Sequence, residues 1–328
     1  MSIKFDNDKQ PYIDLGQSYK ICFDYKKIDD AKCLAKAREE LRETPEIREQ
    51  ALTELRELIK GEKNLVFPTD DFFLDTYLRP CKFYAKSAFE KIVADSKFKI
   101  KYKKFYENID LETTRELFED NLYKYMPLND KEGRRIVMIK CGEKWKLTRN
   151  NHKEFFAAMR IIFQTMAMEP STQVNGVSMI IDMKTLDMSQ VTALTPSFVS
   201  MLVKWNQDCI PIRFKRFFVV NNSKLINVFW ALIAPFISKK YKDRFYIVNE
   251  KYEILADHMG KDCLDKDYEG NIPVDKVEGK VMLDYMKLFQ KQFELLNVSG
   301  FVEENEDIED KRNKVNALAK EILSTIKV

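Results

Sequence analysis

Two histidines, His152 and His258, are all the imidazole this 328-residue chain offers. They lie far apart and have no cysteine cluster beside them, so a zinc site is not expected. The six cysteines (Cys22, Cys33, Cys81, Cys141, Cys209 and Cys263) form no C-x-x-C pair. Their low density suits reduced thiols in a cytosolic chain. There is no G-x-S-x-G elbow and no Walker A loop, and nine glycines do not build a dinucleotide-binding turn. Nucleophilic, metal-assisted and cofactor chemistry therefore find no support. The expectation is a protein that is not an enzyme and carries neither cofactor nor metal.

The residues that invite a function are apolar. Val228-Phe229-Trp230-Ala231-Leu232-Ile233-Ala234-Pro235-Phe236-Ile237 is almost unbroken hydrocarbon, yet too short to span a bilayer. As a helix it can turn one face to a ligand and the other to a membrane surface. Basic residues flank it: Arg213, Lys215 and Arg216 before it, and Lys239, Lys240, Lys242 and Arg244 after it. Near anionic lipid each such side chain contributes about 1 kcal/mol, which gives reversible docking. The net charge of only +3 argues against a dedicated nucleic-acid binder. Thirteen methionines and 23 phenylalanines supply soft, bulky lining for a cavity that must fit a large ligand.

Two kinds of element must position these groups. Residues 1–30 read as an irregular arm. From Ala31 to about Lys101 the apolar spacing is helical, with Thr44-Pro45 as a cap-and-start signal and Pro80 as a stop. The period then changes. Strands are expected over Arg134–Lys140, Val177–Asp182, Phe214–Val220 and Phe245–Val248. Between them lie helices over Phe155–Met168, Thr195–Asp208 and Ser223–Ala234. This alternation predicts an α/β fold with a mixed, mainly parallel sheet. The tail reads as one helix over Lys280–Leu296, an acidic stretch, and a last amphipathic helix running to Val328.

Several segments in this order resemble the CRAL-TRIO lipid transfer family, in its tocopherol-transfer and clavesin-type branches. They are Arg38 to Pro45, Leu78-Arg79-Pro80-Cys81-Lys82-Phe83, Asn175-Gly176-Val177 into Ile180-Ile181-Asp182, Leu194-Thr195-Pro196-Ser197, Pro211 to Asn221, and Ala234-Pro235-Phe236-Ile237. The resemblance covers roughly residues 31–275. It implies a helical module over 31–110 packed on a lipid-binding domain over 111–275; the sequence pattern adds the arm over 1–30 and a helical extension over 276–328.

It also implies an internal pocket for one hydrophobic lipid of tocopherol, retinoid, carotenoid or phospholipid type. Family position and periodicity place Phe155, Met159, Ile162, Phe163 and Met166 of one helix in its lining. Met179, Ile181, Phe218 and Val220 come from the strands, and Leu194, Phe198, Leu202, Phe229 and Ile233 from the later helices. A mobile gate is implied over about Ser223 to Ile237, with Leu225, Ile226, Val228, Phe229, Leu232 and Ile233 as its working residues. Arg213, Lys215, Lys240, Lys242 and Arg244 are the implied phosphoinositide and membrane contacts. Glu90 stands where relatives add a further basic residue, with Lys91 beside it. The expected role is a cytosolic carrier that visits endosomal or other anionic membranes. A phosphoinositide-responsive, lipid-sensing adaptor is the alternative.

Overall fold

The computed structural model describes residues 1–107, 111–141, 146–221, 224–273 and 277–326. The first residues are not irregular. They fold into a three-stranded antiparallel sheet, β1 (Ser2–Phe5), β2 (Pro11–Gly16) and β3 (Tyr19–Cys22). Alternation puts Ile13 and Ile21 on one face, both fully buried, and Phe23 and Tyr25 continue that contact into the core. Helices α1 (Ala31–Leu41), α2 (Pro45–Gly61), α3 (Asp71–Leu78) and α4 (Ala85–Lys101) follow, with a short strand β4 (Leu65–Val66) after α2. Thr44 caps α2 by accepting from the Ile47 N–H, and Pro45 takes its first position, where no N–H is needed.

A short helix α5 (Arg115–Glu119) leads into the central five-stranded sheet. Its strands, in spatial as well as chain order, are β5 (Tyr123–Tyr125), β6 (Arg135–Lys140), β7 (Val177–Asp182), β8 (Phe214–Val220) and β9 (Phe245–Asn249). β5 runs antiparallel to β6, and the other pairs are parallel. Parallel neighbours need crossovers, and crossovers of one hand between successive strands put their helices on the same face. These are α6 (His152–Ala167) with α7 (Pro170–Asn175), α8 (Met188–Ala193) with α9 (Pro196–Lys204), and α10 (Ile226–Ile233) with α11 (Lys239–Lys242). The opposite face is covered by α12 (Tyr252–Met259) and the turns after it.

The tail departs from the single helix expected. α13 (Gly279–Lys287) and α14 (Gln290–Val298) are separated at Leu288-Phe289. The break lets Phe289 stack edge-on against Phe23, Tyr25 and Tyr285. Strand β10 (Gly300–Phe301) pairs with β4, and α15 (Ile308–Ile326) packs on α14. One continuous core thus joins the first sheet, the tail helices and α6.

Candidate functional site

The central sheet forms the floor of a cavity of about 210 Å³. In the parallel register, Val137, Met179, Phe217 and Phe245 stand in one row, and Ile139, Ile181 and Val219 in the next row on the same face. Ile139, Met179, Ile181, Phe217 and Phe245 reach the cavity. α6 adds Phe155, Met159 and Phe163, spaced four residues apart along one stripe. Leu194 and α9 add Val199, Leu202 and Val203, again at helical spacing. α10 closes the space with Phe229 and Ile233, followed by Ile237.

Sequence reasoning placed Phe155, Met159, Phe163, Met179, Ile181, Leu194, Leu202, Phe229 and Ile233 together, and all of them line this one cavity. Five others do not. Phe218 and Val220 face the opposite side of the sheet, packed with Val248, Leu255 and Tyr268. The cause is a bulge. Val177 pairs with Phe214, but Ser178 pairs with Arg216, so Lys215 is an extra residue. A one-residue offset flips every later side chain to the other face, and Phe217 takes the place expected of Phe218. Phe198 turns toward the start of α6, where its ring stacks 3.7 Å from His152. Ile162 and Met166 are fully buried in the core and do not reach the cavity. Several lining residues carry no periodic signal, among them Leu122, Cys141, Leu147, Gln190 and Tyr241. The heptad-like run Val199, Leu202, Val203, Asn206 was legible, but only Leu202 was read from it.

The gate helix is shorter than expected. Ser223 lies outside the described residues, and α10 begins at Ile226. Ile226 packs under the helix against Met183 and Val219 rather than into the cavity. Leu225 and Leu232 are half-buried without lining the cavity. Val228 and Phe236 point outward, 42% and 36% exposed. The helix is therefore apolar on both sides. Its far end is fastened by Gln207, which donates to the Phe236 carbonyl (3.2 Å) and accepts from the Ser238 N–H (3.1 Å).

The basic residues separate into two groups. Arg213 donates to Glu40 at 2.6 Å and to the Val174 carbonyl, and Lys215 donates to Glu40 at 3.0 Å. Partial burial pushes the Glu40 carboxyl up, but Lys215 and Arg213 outweigh it and hold it at about 2. Gly176 leaves room for this cluster: at φ +86°, a Cβ there would lie 2.4 Å from the Arg213 carbonyl and 2.9 Å from Lys215 Cγ. Arg244 donates to the Phe214 carbonyl and covers the Tyr241 ring. These three expected headgroup contacts are thus engaged within the protein. Lys240 and Lys242 are exposed beside the gate and make no ion pair among the described residues. Lys91, beside the exposed Glu90, donates to the Gln207 and Asp208 carbonyls (3.2 and 3.0 Å). Burial lowers its ammonium below the usual lysine range.

Nothing in this arrangement activates a nucleophile. All six cysteines are free, and burial raises each thiol; Cys141, in the cavity wall, is pushed up to about 12. Among the described residues no cluster could hold a metal, and no helix is long and apolar enough to cross a membrane.

The chain is similar to known proteins over part of its length. Residues 120–270 match the CRAL/TRIO domain. The alpha-tocopherol transfer protein-like protein of Homo sapiens is 27% identical over 238 residues, 72% of this chain and 69% of that one. Clavesin-1 of Mus musculus is 26% identical over 243 residues, 73% of this chain and 68% of its own length. The crystal structure of Sfh5 aligns with 80% of this chain and 99% of its own, at 12% identity and a TM-score of 0.39.

Proposed function

The chain belongs to the CRAL-TRIO family, and from that premise we propose that it is a non-enzymatic carrier working in the cytosol. It holds one hydrophobic lipid in the cavity above the central sheet. It exchanges that lipid at anionic, phosphoinositide-containing membranes, endosomal ones among them. The observation that carries this reading is the construction of the cavity wall: a short helix, α10, shows Phe229 and Ile233 to the cavity and Val228 to the outside, and Phe236 in the turn after it is exposed as well. An apolar lipid gains about 25 cal/mol for each Å² it hides from water, so the closed state holds it. A bilayer offers the outer face of α10 an equally apolar surface, which favours an open state there. Met159, Met179 and Met183 let the lining adapt to the ligand's shape.

Lys240 and Lys242 supply the electrostatic part of docking. Arg213 and Lys215 join them only by giving up Glu40. A phospholipid or a tocopherol-like molecule fits the family equally, and the lipid that co-purifies identifies the class.

The test has two arms. Phe229→Asp places a charge against the lipid, and retention measured by native mass spectrometry should fall at least tenfold. Lys240→Ala with Lys242→Ala should weaken binding to anionic vesicles by roughly thirtyfold at low salt, about 1 kcal/mol for each charge, while loading stays normal. A purified chain that neither retains nor accepts any lipid, and does not speed transfer between vesicles, rules the carrier out.

A further inference from the structure

The cavity wall is almost wholly apolar, so each polar group in it has to be accounted for. Asn206 donates to the Leu202 carbonyl at 2.8 Å. Both ends of the Gln207 amide are spent on Phe236 and Ser238. The Tyr241 hydroxyl reaches the Asn206 carbonyl at 3.5 Å. Gln190 differs. It lines the cavity and is only 3% exposed, yet its Nε2 donates to nothing among the described residues. That nitrogen is not sealed among protein atoms either, for it is not one of the enclosed unpaired polar atoms. Gln190 lines the cavity, which is the open space beside its side chain.

The orientation of this amide is fixed by its neighbours. Gln190 and Asp187 form a reciprocal cap at the start of α8: the Asp187 carboxylate accepts from the Gln190 N–H (3.1 Å), and Gln190 Oε1 accepts from the Asp187 N–H (3.1 Å). Flipping the amide would set N–H against N–H. The oxygen must therefore face the Asp187 N–H, and the two Nε2 protons turn away from it and are left for a ligand in the cavity that Gln190 lines. A buried donor left without an acceptor is costly, and a ligand that brings one recovers that cost.

We propose that Gln190 is the residue that recognises the polar end of the bound lipid, and that the ligand class is a neutral, largely hydrocarbon molecule bearing one carbonyl oxygen. This rests on reading the cavity as a lipid site. A carbonyl satisfies Nε2 and brings no donor of its own. A hydroxyl also accepts from Nε2, but its own proton then needs a second group, for which Asn206 Oδ1 is the lining acceptor that takes no hydrogen bond among the described residues. A carboxylate is disfavoured, because no lysine or arginine lines the cavity among the described residues. A hydrocarbon leaves Nε2 unpaired.

The farnesyl series tests this with one skeleton: farnesal, farnesol, farnesoic acid at neutral pH, and the hydrocarbon farnesene. Affinities are read by titration of the delipidated full chain. Farnesal should bind roughly tenfold more tightly than farnesene, with farnesol between them and farnesoate weaker than farnesal. In Gln190→Met the ratio of farnesal to farnesene affinity should collapse to about one. Gln190→Glu keeps an oxygen for the Asp187 N–H and removes the donor, so it carries the test if the methionine variant does not fold, and the ratio should collapse there as well. Equal binding of farnesal and farnesene by the wild type overturns the assignment of Gln190 alone. A preference that survives in the variants overturns it too. If none of the four compounds binds, this ligand class is overturned, whereas the lipid-site reading falls only if native mass spectrometry finds that the chain retains and accepts no lipid at all.

Discussion

Ile180 and Ile181 are neighbours on β7 and meet opposite surroundings. Ile180 is fully buried on a face packed solid by Phe218, Val220, Val248, Leu255 and Met259. Ile181 faces the cavity. The strands are the same and the side chains are equally apolar, so hydrophobicity does not create the difference. The coverings do. One contiguous segment, α12 and the turns after it, seals the first face and is pinned by buried polar pairs: Lys124 to Asp265, and Tyr268 to Asp182 at 2.5 Å. Three separate crossovers cover the other face, and their positions are set by the strands they join. They leave a gap between them, which α10 of the third crossover closes with Phe229 and Ile233.

If the pins seal the closed face, removing half of one should be the most damaging change. Burial lowers the Lys124 ammonium and raises the Asp265 carboxyl, so each depends on the other to stay charged. Lys124→Met strands Asp265 and should cost about 3–5 kcal/mol in denaturant melts. A loss under 1 kcal/mol would mean that apolar packing alone holds that face. Next in size is the isoleucine pair. Ile180→Ala opens a void in a filled core and should cost roughly 2–5 kcal/mol. Ile181→Ala only enlarges an existing space and should cost about 1 kcal/mol, because its side chain already lacks partner atoms on one side. Equal losses would erase the distinction between the faces.

Much of this was legible in the sequence, and the failures share a cause. The α2 cap at Thr44-Pro45, the four strands and the crossover helices follow from caps and periodicity. Met179 and Ile181 face the cavity at the expected alternation because β7 has no extra residue to cross. β8 is apolar on both faces, so alternation was silent, and the bulge at Lys215 reversed the parity of Phe217 and Phe218. The first strands were missed because β1 and β2 mix polar and aromatic residues without clean alternation, and their burial depends on tail helices more than 250 positions away: the Tyr285 hydroxyl accepts from the Phe23 N–H. The basic residues were identified by type, but sequence does not show that Glu40 of α1 folds back onto Arg213 and Lys215. Gln190 follows Asp187 at capping-box spacing, and only the fold puts its side chain in the cavity lining.

The smallest effect belongs to the two histidines, one on each side of the sheet. His258 packs beside the stacked Phe218 and Tyr246 rings on the closed face. His152 stacks on Phe198 and contacts the Ala193 carbonyl at 2.7 Å, next to Leu194 in the cavity wall. Burial lowers both below the usual value of about 6.5. The unfolded chain therefore takes up these protons at a higher pH than the native one. Their contribution to stability is complete above about pH 6.5 and is lost as pH falls through the lower native values. Both are partly solvated, so the loss should be modest. NMR titration of the two imidazoles separates the faces: loading with lipid should shift the His152 resonance and its midpoint and leave those of His258 in place. A ligand that moves both equally would mean that the closed face is not a rigid floor, and the cavity would then be a property of the whole sheet.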